Sequence, residues 1–216
     1  RESDTLLYIG CSASFAYPEA ARVSYLLLKK LGVDFMLLRD EGCCGFFYYY
    51  MGREDLAREH FEKTKEKFKQ AGIKRIITVC AGCYHNFKNW YPSLLGSADF
   101  QVSHISQLLP DLLKERSQDL NKEGREMTYH DPCGLSRLGD GICDEPREAL
   151  RLCGVNLVEV EQNRQLSSCC GALIINNFRD LAAKVSGNFL DKVKTTDIVT
   201  SFSFCLFCFN YCKRKM

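Results

Sequence analysis

The spacing of the cysteines is the feature that most constrains this chain. Ten of its 13 cysteines form two groups on one plan. A single cysteine is separated by 31 or 35 residues from an adjacent pair, and that pair is separated by 35 or 34 residues from a C-x2-C pair. The first group is Cys11, Cys43, Cys44, Cys80 and Cys83, and the second is Cys133, Cys169, Cys170, Cys205 and Cys208. A glycine, Gly45 or Gly171, follows each adjacent pair. The match predicts an internal repeat with one cysteine-rich site in each half.

The secondary-structure pattern repeats with the cysteines. Buried strands are predicted at "TLLYIGC", "VDFMLL", "RIITVC", "EMTYHD", "VNLVEV" and "DIVTSF". Amphipathic helices are predicted at "PEAARVSYLLLKKLG", "EDLAREHFEKTKEKFKQAG", "EPREALRLCG" and "FRDLAAKVSGNFLDKV", and a short helix near Gly82. Strands that alternate with helices indicate an α/β fold with parallel sheets, here as two pseudo-repeated modules. We expect domains at residues 1–113 and 126–216, joined by a polar linker at 114–125.

Each cysteine or cysteine pair comes just after a predicted strand. In a parallel sheet the carboxyl ends of the strands meet at one edge, where ligands collect. The cysteines of each half should therefore converge at one edge of their sheet.

Composition restricts the classes of partner. With 46% apolar and 26% charged residues the chain should be globular, and its formal net charge of +2 gives no basic field for nucleic acid. No run approaches the roughly 20 apolar residues of a transmembrane helix, and "RESDTLLYIG" lacks the pattern of an export signal, so we expect a cytoplasmic protein. The chain opens on Arg1 rather than methionine, which indicates a piece of a longer protein.

So many cysteines suit a disulfide framework, zinc sites or iron–sulfur clusters. Adjacent Cα atoms lie about 3.8 Å apart, too close for Cys43 and Cys44 to form an ordinary disulfide with each other. Structural zinc commonly takes two close pairs of ligands, whereas each half offers five cysteines and one C-x2-C. Soft thiolates without matching histidines favour iron–sulfur clusters, and a zinc-dependent interaction module is the distant alternative.

The motifs resemble the CCG, or cysteine-rich, domain family. They are "YIGCSASFAYPEAAR", "CAGCYHNFKNWYP", "YHDPCGLSRLGDGICDEPREAL" and two "CCG" segments. That domain occurs twice in the iron–sulfur subunits of heterodisulfide reductase and in subunits of glycolate, lactate and glycerol-3-phosphate oxidoreductases. The resemblance covers nearly the whole chain and is to the branch of the D-type and B-type reductase subunits, which also has sulfite-metabolism relatives.

The resemblance implies that each group of five cysteines holds a [4Fe–4S] cluster, cubane or non-cubane, beside Gly45 or Gly171. The second half departs from the family's pattern at "FCLFCFNYC" and in its 34-residue spacer. Family members of the D type carry an additional ferredoxin-like region before these two domains.

Two functions follow from the resemblance. One is reduction of a small-molecule disulfide by two clusters. The other is electron relay between redox subunits, such as a flavoprotein dehydrogenase and a quinone or a membrane cytochrome b, which would place the chain at the cytoplasmic face of a membrane.

A few other residues have open roles. His130 and His85, near predicted ligands, are candidates for proton donation to a thiolate or for orienting a loop. Phe46, Phe47 and Tyr48 to Tyr50 either wall the first cluster from water or pack under the sheet. Cys143 and Cys153 lack counterparts in the first half and are predicted to be core residues, and Cys212 is either a ligand or a packing residue.

Overall fold

The computed structural model describes residues 3–116, 118, 120, 122, 124–195, 197–202 and 205. The chain divides into two compact units, the first unit at residues 1–105 and the second unit at 106–216. Among the described residues, no helix has the length and apolar character needed to cross a bilayer. The predicted domain limits around residues 114–125 stay a prediction.

The first unit is built on a parallel three-stranded sheet. Its strands are β1 (Thr5–Tyr8), β2 (Arg75–Thr78) and β3 (Gln101–His104), paired in the order β1-β2-β3. Its helices are α1 (Cys11–Phe15), α2 (Pro18–Lys30), α3 (Phe46–Tyr50), α4 (Glu54–Gln70), α5 (Ala81–His85) and α6 (Tyr91–Leu95), and a π-helical turn at Asn86–Trp90 joins the last two.

The second unit repeats the arrangement with a smaller sheet. Its elements are α7 (Ile105–Lys114, with Ile105 in the first unit), β4 (Glu126–His130), α8 (Asp144–Leu152), β5 (Asn156–Leu157), α9 (Arg179–Leu190) and β6 (Asp197–Thr200). The strands are parallel in the order β5-β4-β6, and 3-10 turns lie at Arg164–Leu166 and Ala172–Ile174. The predicted α/β fold of two strand-helix modules is confirmed.

Equivalent helices end in the same way in the two units. After α2, Gly32 adopts a φ of +79° and the N–H of Val33 donates to Leu28. After α8, Gly154 adopts the same φ and the N–H of Val155 donates to Leu150. Glycine reaches this left-handed conformation without a Cβ penalty, so it ends each helix.

Two predicted strands are shorter than expected. In "VDFMLL" only Met36 pairs with β1, through its N–H to Thr5 and the N–H of Leu7 to its carbonyl. In "VNLVEV" only Asn156–Leu157 form a strand. Both segments are at the edge of a sheet, where one neighbouring strand supplies all the pairing.

The core of each unit lies between its sheet and its helices. In the first unit fully buried side chains include Leu7, Leu28, Phe61, Phe68 and Phe87. In the second unit the core includes Val160, Phe189 and the two cysteines Cys170 and Cys205. The cysteine-bearing edge of the second sheet is therefore continuous with the core.

Candidate metal centre

The five cysteines of the first unit form a continuous row of thiols. Cys11 Sγ lies 3.7 Å from Cys43 Sγ. Cys44 hydrogen-bonds with its neighbour Cys43 and with Cys83, which hydrogen-bonds with Cys80 in turn. We call this set the first cysteine row. Its members follow β1, the Met36 bridge and β2, all parallel, so they meet at the carboxyl edge as predicted.

The second unit assembles its cysteines in the same order. Cys133 hydrogen-bonds with Cys169 and Cys169 with Cys170. Cys170 Sγ donates to Cys205 Sγ over 3.1 Å. These four residues are the second cysteine row, at the carboxyl edge of β4, β5 and β6. Cys208 and Cys212 lie outside the described residues.

Hydrogen bonds within the rows decide which thiol gives up its proton most readily. In the first row, donation from Cys43 and Cys83 lowers the pKa of Cys44. In the second row, hydrogen bonding with Cys133 and Cys170 lowers the pKa of Cys169. Cys83 and Cys170 have raised pKa values, because hydrogen bonding with two neighbouring thiols favours the protonated form of each. The hydrogen bond with Cys83 lowers the pKa of Cys80 as well. A metal binds the thiolate form, so both rows contain sulfurs already favoured as ligands.

The glycine after each adjacent pair is required by its backbone and its neighbours. Gly45 and Gly171 have φ values of +80° and +77°. A Cβ on Gly45 would lie 2.5 Å from Cδ2 of His60, and one on Gly171 would lie 2.8 Å from the carbonyl oxygen of Ala182. Both glycines let a helix, α4 or α9, press against the adjacent cysteines. Their predicted role beside a cofactor stays a prediction.

The backbone around the first pair is fixed by four side chains. The Tyr8 hydroxyl donates to the carbonyl of Gly42, and His60 Nε2 lies 2.7 Å from the carbonyl of Cys43. The carbonyl of Cys44 accepts from two groups, Asn86 Nδ2 at 2.6 Å and the Tyr91 hydroxyl at 3.1 Å. The π-helical turn and α6 therefore hold the adjacent cysteines from behind.

His130 and His85 are both engaged with the protein. His130 is buried, its Nε2 lies 3.1 Å from the carbonyl of Ser168, and its ring packs edge-on against Phe189. His85 is also buried, with Nδ1 2.9 Å from Asn89 Nδ2. The contact of His130 favours the loop-orienting role, whereas that of His85 is with the neighbouring π-helical turn.

Glu41 is a site residue that sequence reasoning missed. Its carboxylate accepts the N–H of Ile9 at 2.9 Å and the N–H of Gly10 at 2.7 Å. Burial raises the pKa of Glu41 to about 7, against the lowering effect of the two backbone donors. In the sequence, the only signal for Glu41 as a site residue was its position two residues before Cys43.

Arg147 on α8 is a residue of the second unit that sequence reasoning also missed. Its fully buried guanidinium pairs with both oxygens of Asp131, at 2.6 and 2.8 Å, and both oxygens of Glu159, at 2.6 and 3.0 Å. It also donates to the carbonyl of Cys143 and lies over the ring of Tyr129. Asp131, two residues before Cys133, is thereby fixed by an ion-pair network.

The aromatic segment of α3 is mostly at the surface. Phe46 is buried against Trp90, with ring centroids 4.8 Å apart. Phe47, Tyr48 and Tyr50 are 38–44% exposed. Neither sequence alternative fits the whole segment, because Phe46 is buried, Tyr49 packs partly buried against Trp90 and the other three aromatics are exposed.

The donors present fit an iron–sulfur cluster. All members of both rows are thiols, the softest ligands that proteins offer iron. Among the described residues, no three histidine, cysteine or acidic side chains are arranged to hold a single metal ion. The first row offers five adjoining thiols, one more than the four ligands that a structural zinc ion takes.

The two halves of the chain each match a known domain. The model of the cysteine-rich CCG domain matches at residues 5–88 and again at 127–210. The chain is also similar to a subunit of the Dihydromethanophenazine:CoB–CoM heterodisulfide reductase of Methanosarcina mazei. The two are 33% identical over 216 residues, a match that covers 96% of this chain and 53% of that protein.

Two further relatives have different names. EtfAB:quinone oxidoreductase of Syntrophomonas wolfei is 36% identical over 80% of this chain and 24% of its own length. The probable iron-sulfur-binding oxidoreductase FadF of Bacillus subtilis is 32% identical over 80% of this chain and 25% of its own. This chain therefore spans between about a quarter and about half of these relatives.

Proposed function

Because the chain belongs to the cysteine-rich CCG domain family, we propose that it is the iron–sulfur part of an oxidoreductase that reduces a disulfide with two [4Fe–4S] clusters. The observation that carries this proposal is the pair of thiol rows, one at the carboxyl edge of each sheet. Each cluster would supply or accept one electron at a time.

The ligands proposed for the first cluster are Cys11, Cys43, Cys44, Cys80 and Cys83. Those proposed for the second are Cys133, Cys169, Cys170, Cys205 and Cys208. The chain's own contribution is to hold the thiols together, through the donors to the carbonyls of Gly42, Cys43, Cys44 and Ser168. Buried residues behind each row, such as Phe46 and Phe189, exclude water from that side.

The number of sites fits the chemistry of a disulfide. Reduction of one disulfide to two thiols consumes two electrons and two protons, and two one-electron centres supply both electrons. The heterodisulfide reductase relative, which covers nearly all of this chain, favours this substrate class.

Electron relay is the second candidate function. It is favoured by the 36% identity to a relative named as an EtfAB:quinone oxidoreductase. In this role the clusters pass electrons between a flavoprotein and a quinone or a membrane cytochrome b, and the chain works at the cytoplasmic face of a membrane. Both functions need further redox subunits or domains.

Metal analysis tests the cofactor. Anaerobically prepared chain should contain about eight iron and eight acid-labile sulfide per molecule, as two four-iron clusters require. Stoichiometric zinc without sulfide would contradict the proposal.

A viologen assay separates the two functions. Reconstituted chain is mixed with reduced viologen and a small-molecule disulfide, and thiol release is measured. Thiol formed at a rate well above the protein-free reaction supports disulfide reduction. Clusters that reoxidise with a quinone analogue and leave the disulfide intact support relay.

A further inference from the structure

The first cysteine row has a clamp that joins two of its three segments. One oxygen of the Glu41 carboxylate accepts the N–H of Ile9 and the other accepts the N–H of Gly10. Ile9 and Gly10 come immediately before Cys11, and Glu41 comes two residues before Cys43. A single side chain therefore ties the segment of Cys11 to the segment of the adjacent pair.

The clamped backbone also contacts the third segment of the row. Gly10 has a φ of +78°, and a Cβ there would lie 3.2 Å from Cys83 Sγ. Cys11 Sγ and Cys43 Sγ, one on each side of the clamp, are 3.7 Å apart. A change in the length of the clamp would therefore alter the spacing of sulfurs from all three segments.

The second unit cannot form this clamp. The residues at the positions of Ile9, Gly10 and Glu41 are Asp131, Pro132 and Ser167. Pro132 has no N–H to donate. Ser167 Oγ is buried and has no hydrogen-bond partner within the part of the chain that the structure describes. There, Arg147 and the N–H of Arg164 hold Asp131 instead.

We propose that Glu41 is a positioning residue that sets the sulfur spacing of the first cysteine row and makes the reduction potential of its cluster differ from that of the second. The inference rests on the proposed function. A carboxylate beside a cluster disfavours the added electron, because net charge and hydrogen bonding around the cluster set its potential. Glu41 is held by two backbone N–H groups, whereas Asp131, the carboxylate near the second row, is paired with the guanidinium of Arg147, so the two clusters have different charged surroundings.

The test is a Glu41→Gln variant of the full chain, with Ser167→Ala as its counterpart in the second unit. Glutamine has nearly the same shape, but its NH2 group faces one of the two N–H donors and it has no charge. Redox titration followed by electron paramagnetic resonance at pH 8 reports both clusters. Comparison with Cys83→Ser, which removes the first signal, assigns them.

We expect Glu41→Gln to move the midpoint potential of the first signal to a more positive value and to leave the second unchanged. Selective loss of iron from the first site also supports the clamp, and Glu41→Asp, which keeps the charge but shortens the reach, should then lower iron content without the positive shift. Ser167→Ala should change neither signal.

The possible outcomes distinguish a wrong role for Glu41 from a wrong proposed function. An unshifted first signal with full iron content overturns the role of Glu41, as does an equal shift or an equal iron loss at both sites. A wild-type chain that binds no cluster overturns the proposed function, and with it the inference.

Discussion

Tyr8 and His130 hold equivalent carbonyl oxygens in the two units. The Tyr8 hydroxyl donates to Gly42 over 3.0 Å, and His130 Nε2 lies 3.1 Å from the carbonyl of Ser168. Each is three residues before the first cysteine of its row, and each carbonyl directly precedes an adjacent cysteine pair. Tyrosine and histidine differ in shape and acidity, and what they share here is a hydrogen bond to the carbonyl before the cysteine pair. We infer that this hydrogen bond is the role of both residues.

This equivalence predicts the behaviour of His130 variants. His130→Gln keeps an N–H donor and should retain iron and most of the wild-type rate of disulfide reduction. His130→Phe loses the hydrogen bond and should lower stability by about 1 kcal/mol. Rate measurements across pH check the point: a loss of reductase activity in His130→Gln with iron retained would instead assign proton donation to His130.

The glycines after the cysteine pairs should resist substitution to different degrees. Gly45→Ala combines a left-handed backbone with a 2.5 Å approach to His60. Gly52 is the matched control, because its φ is +75° but nothing lies within 4 Å of its Cβ position. Gly52→Ala should cost about 1–2 kcal/mol for backbone strain alone, and Gly45→Ala should cost more. Urea unfolding measures both, and equal costs would show that the contact with His60 relaxes freely.

Loss of the Arg147 guanidinium should be among the most damaging single changes in the second unit. Arg147→Met leaves Asp131 buried without its cation, and breaking a buried ion pair in this way costs about 3–5 kcal/mol. Arg53→Met is the control, since its ion pair with Asp55 is exposed. Urea unfolding should show a large loss for Arg147→Met alone, and comparable effects of the two variants would refute the structural role of the network.

His104 gives the first unit a specific sensitivity to acid. Burial lowers its pKa to about 4, while Nε2 lies 2.9 Å from the carbonyl of Val79. The unfolded chain binds a proton near pH 6.5 and the folded chain does so only near pH 4, so stability is present above pH 6.5 and is lost as the pH falls through this window. The full loss is about 3 kcal/mol. His104→Gln should show a weaker decline between pH 7 and 4.5 than wild type, and parallel declines would count against a buried neutral histidine.

The sequence was informative where local rules act. Pro18 at the start of α2 and Gly32 after its end marked a helix that the structure confirms. Helix α7 shows the limit of such rules, because Pro110 lies inside it and argues against a helix, whereas burial of Leu113 stabilises it. Strand β3 has only four residues and a polar composition, so its pattern was too short to recognise.

The cysteines of the site were predictable from the sequence, but the charged side chains that hold the surrounding backbone were not. Repeated spacing identified the thiols, and parallel strands brought the described ones together. Glu41 and Arg147 escaped because their partners are 12 to 32 residues away in the chain. A charged residue on a loop or an amphipathic helix is ordinarily exposed, so only the folded structure shows that Arg147 is buried and Glu41 partly buried.

The two clusters should be separately removable and jointly needed. Cys83 hydrogen-bonds with Cys44 and Cys80, so Cys83→Ser interrupts the first row and should abolish its spectroscopic signal while the second persists. Cys208→Ser should do the reverse, on the prediction that Cys208 is a ligand of the second cluster. Cys153→Ser is the control, since Cys153 lies at the end of α8 and has no counterpart in the first unit. Because a disulfide takes two electrons and each cluster supplies one, either single-cluster variant should lose disulfide reduction, whereas Cys153→Ser should keep it.

Iron analysis, electron paramagnetic resonance and the viologen assay on the same preparations check this expectation. Substantial reductase activity with only one cluster would exclude the paired mechanism and favour electron relay, in which one cluster suffices for partial transfer.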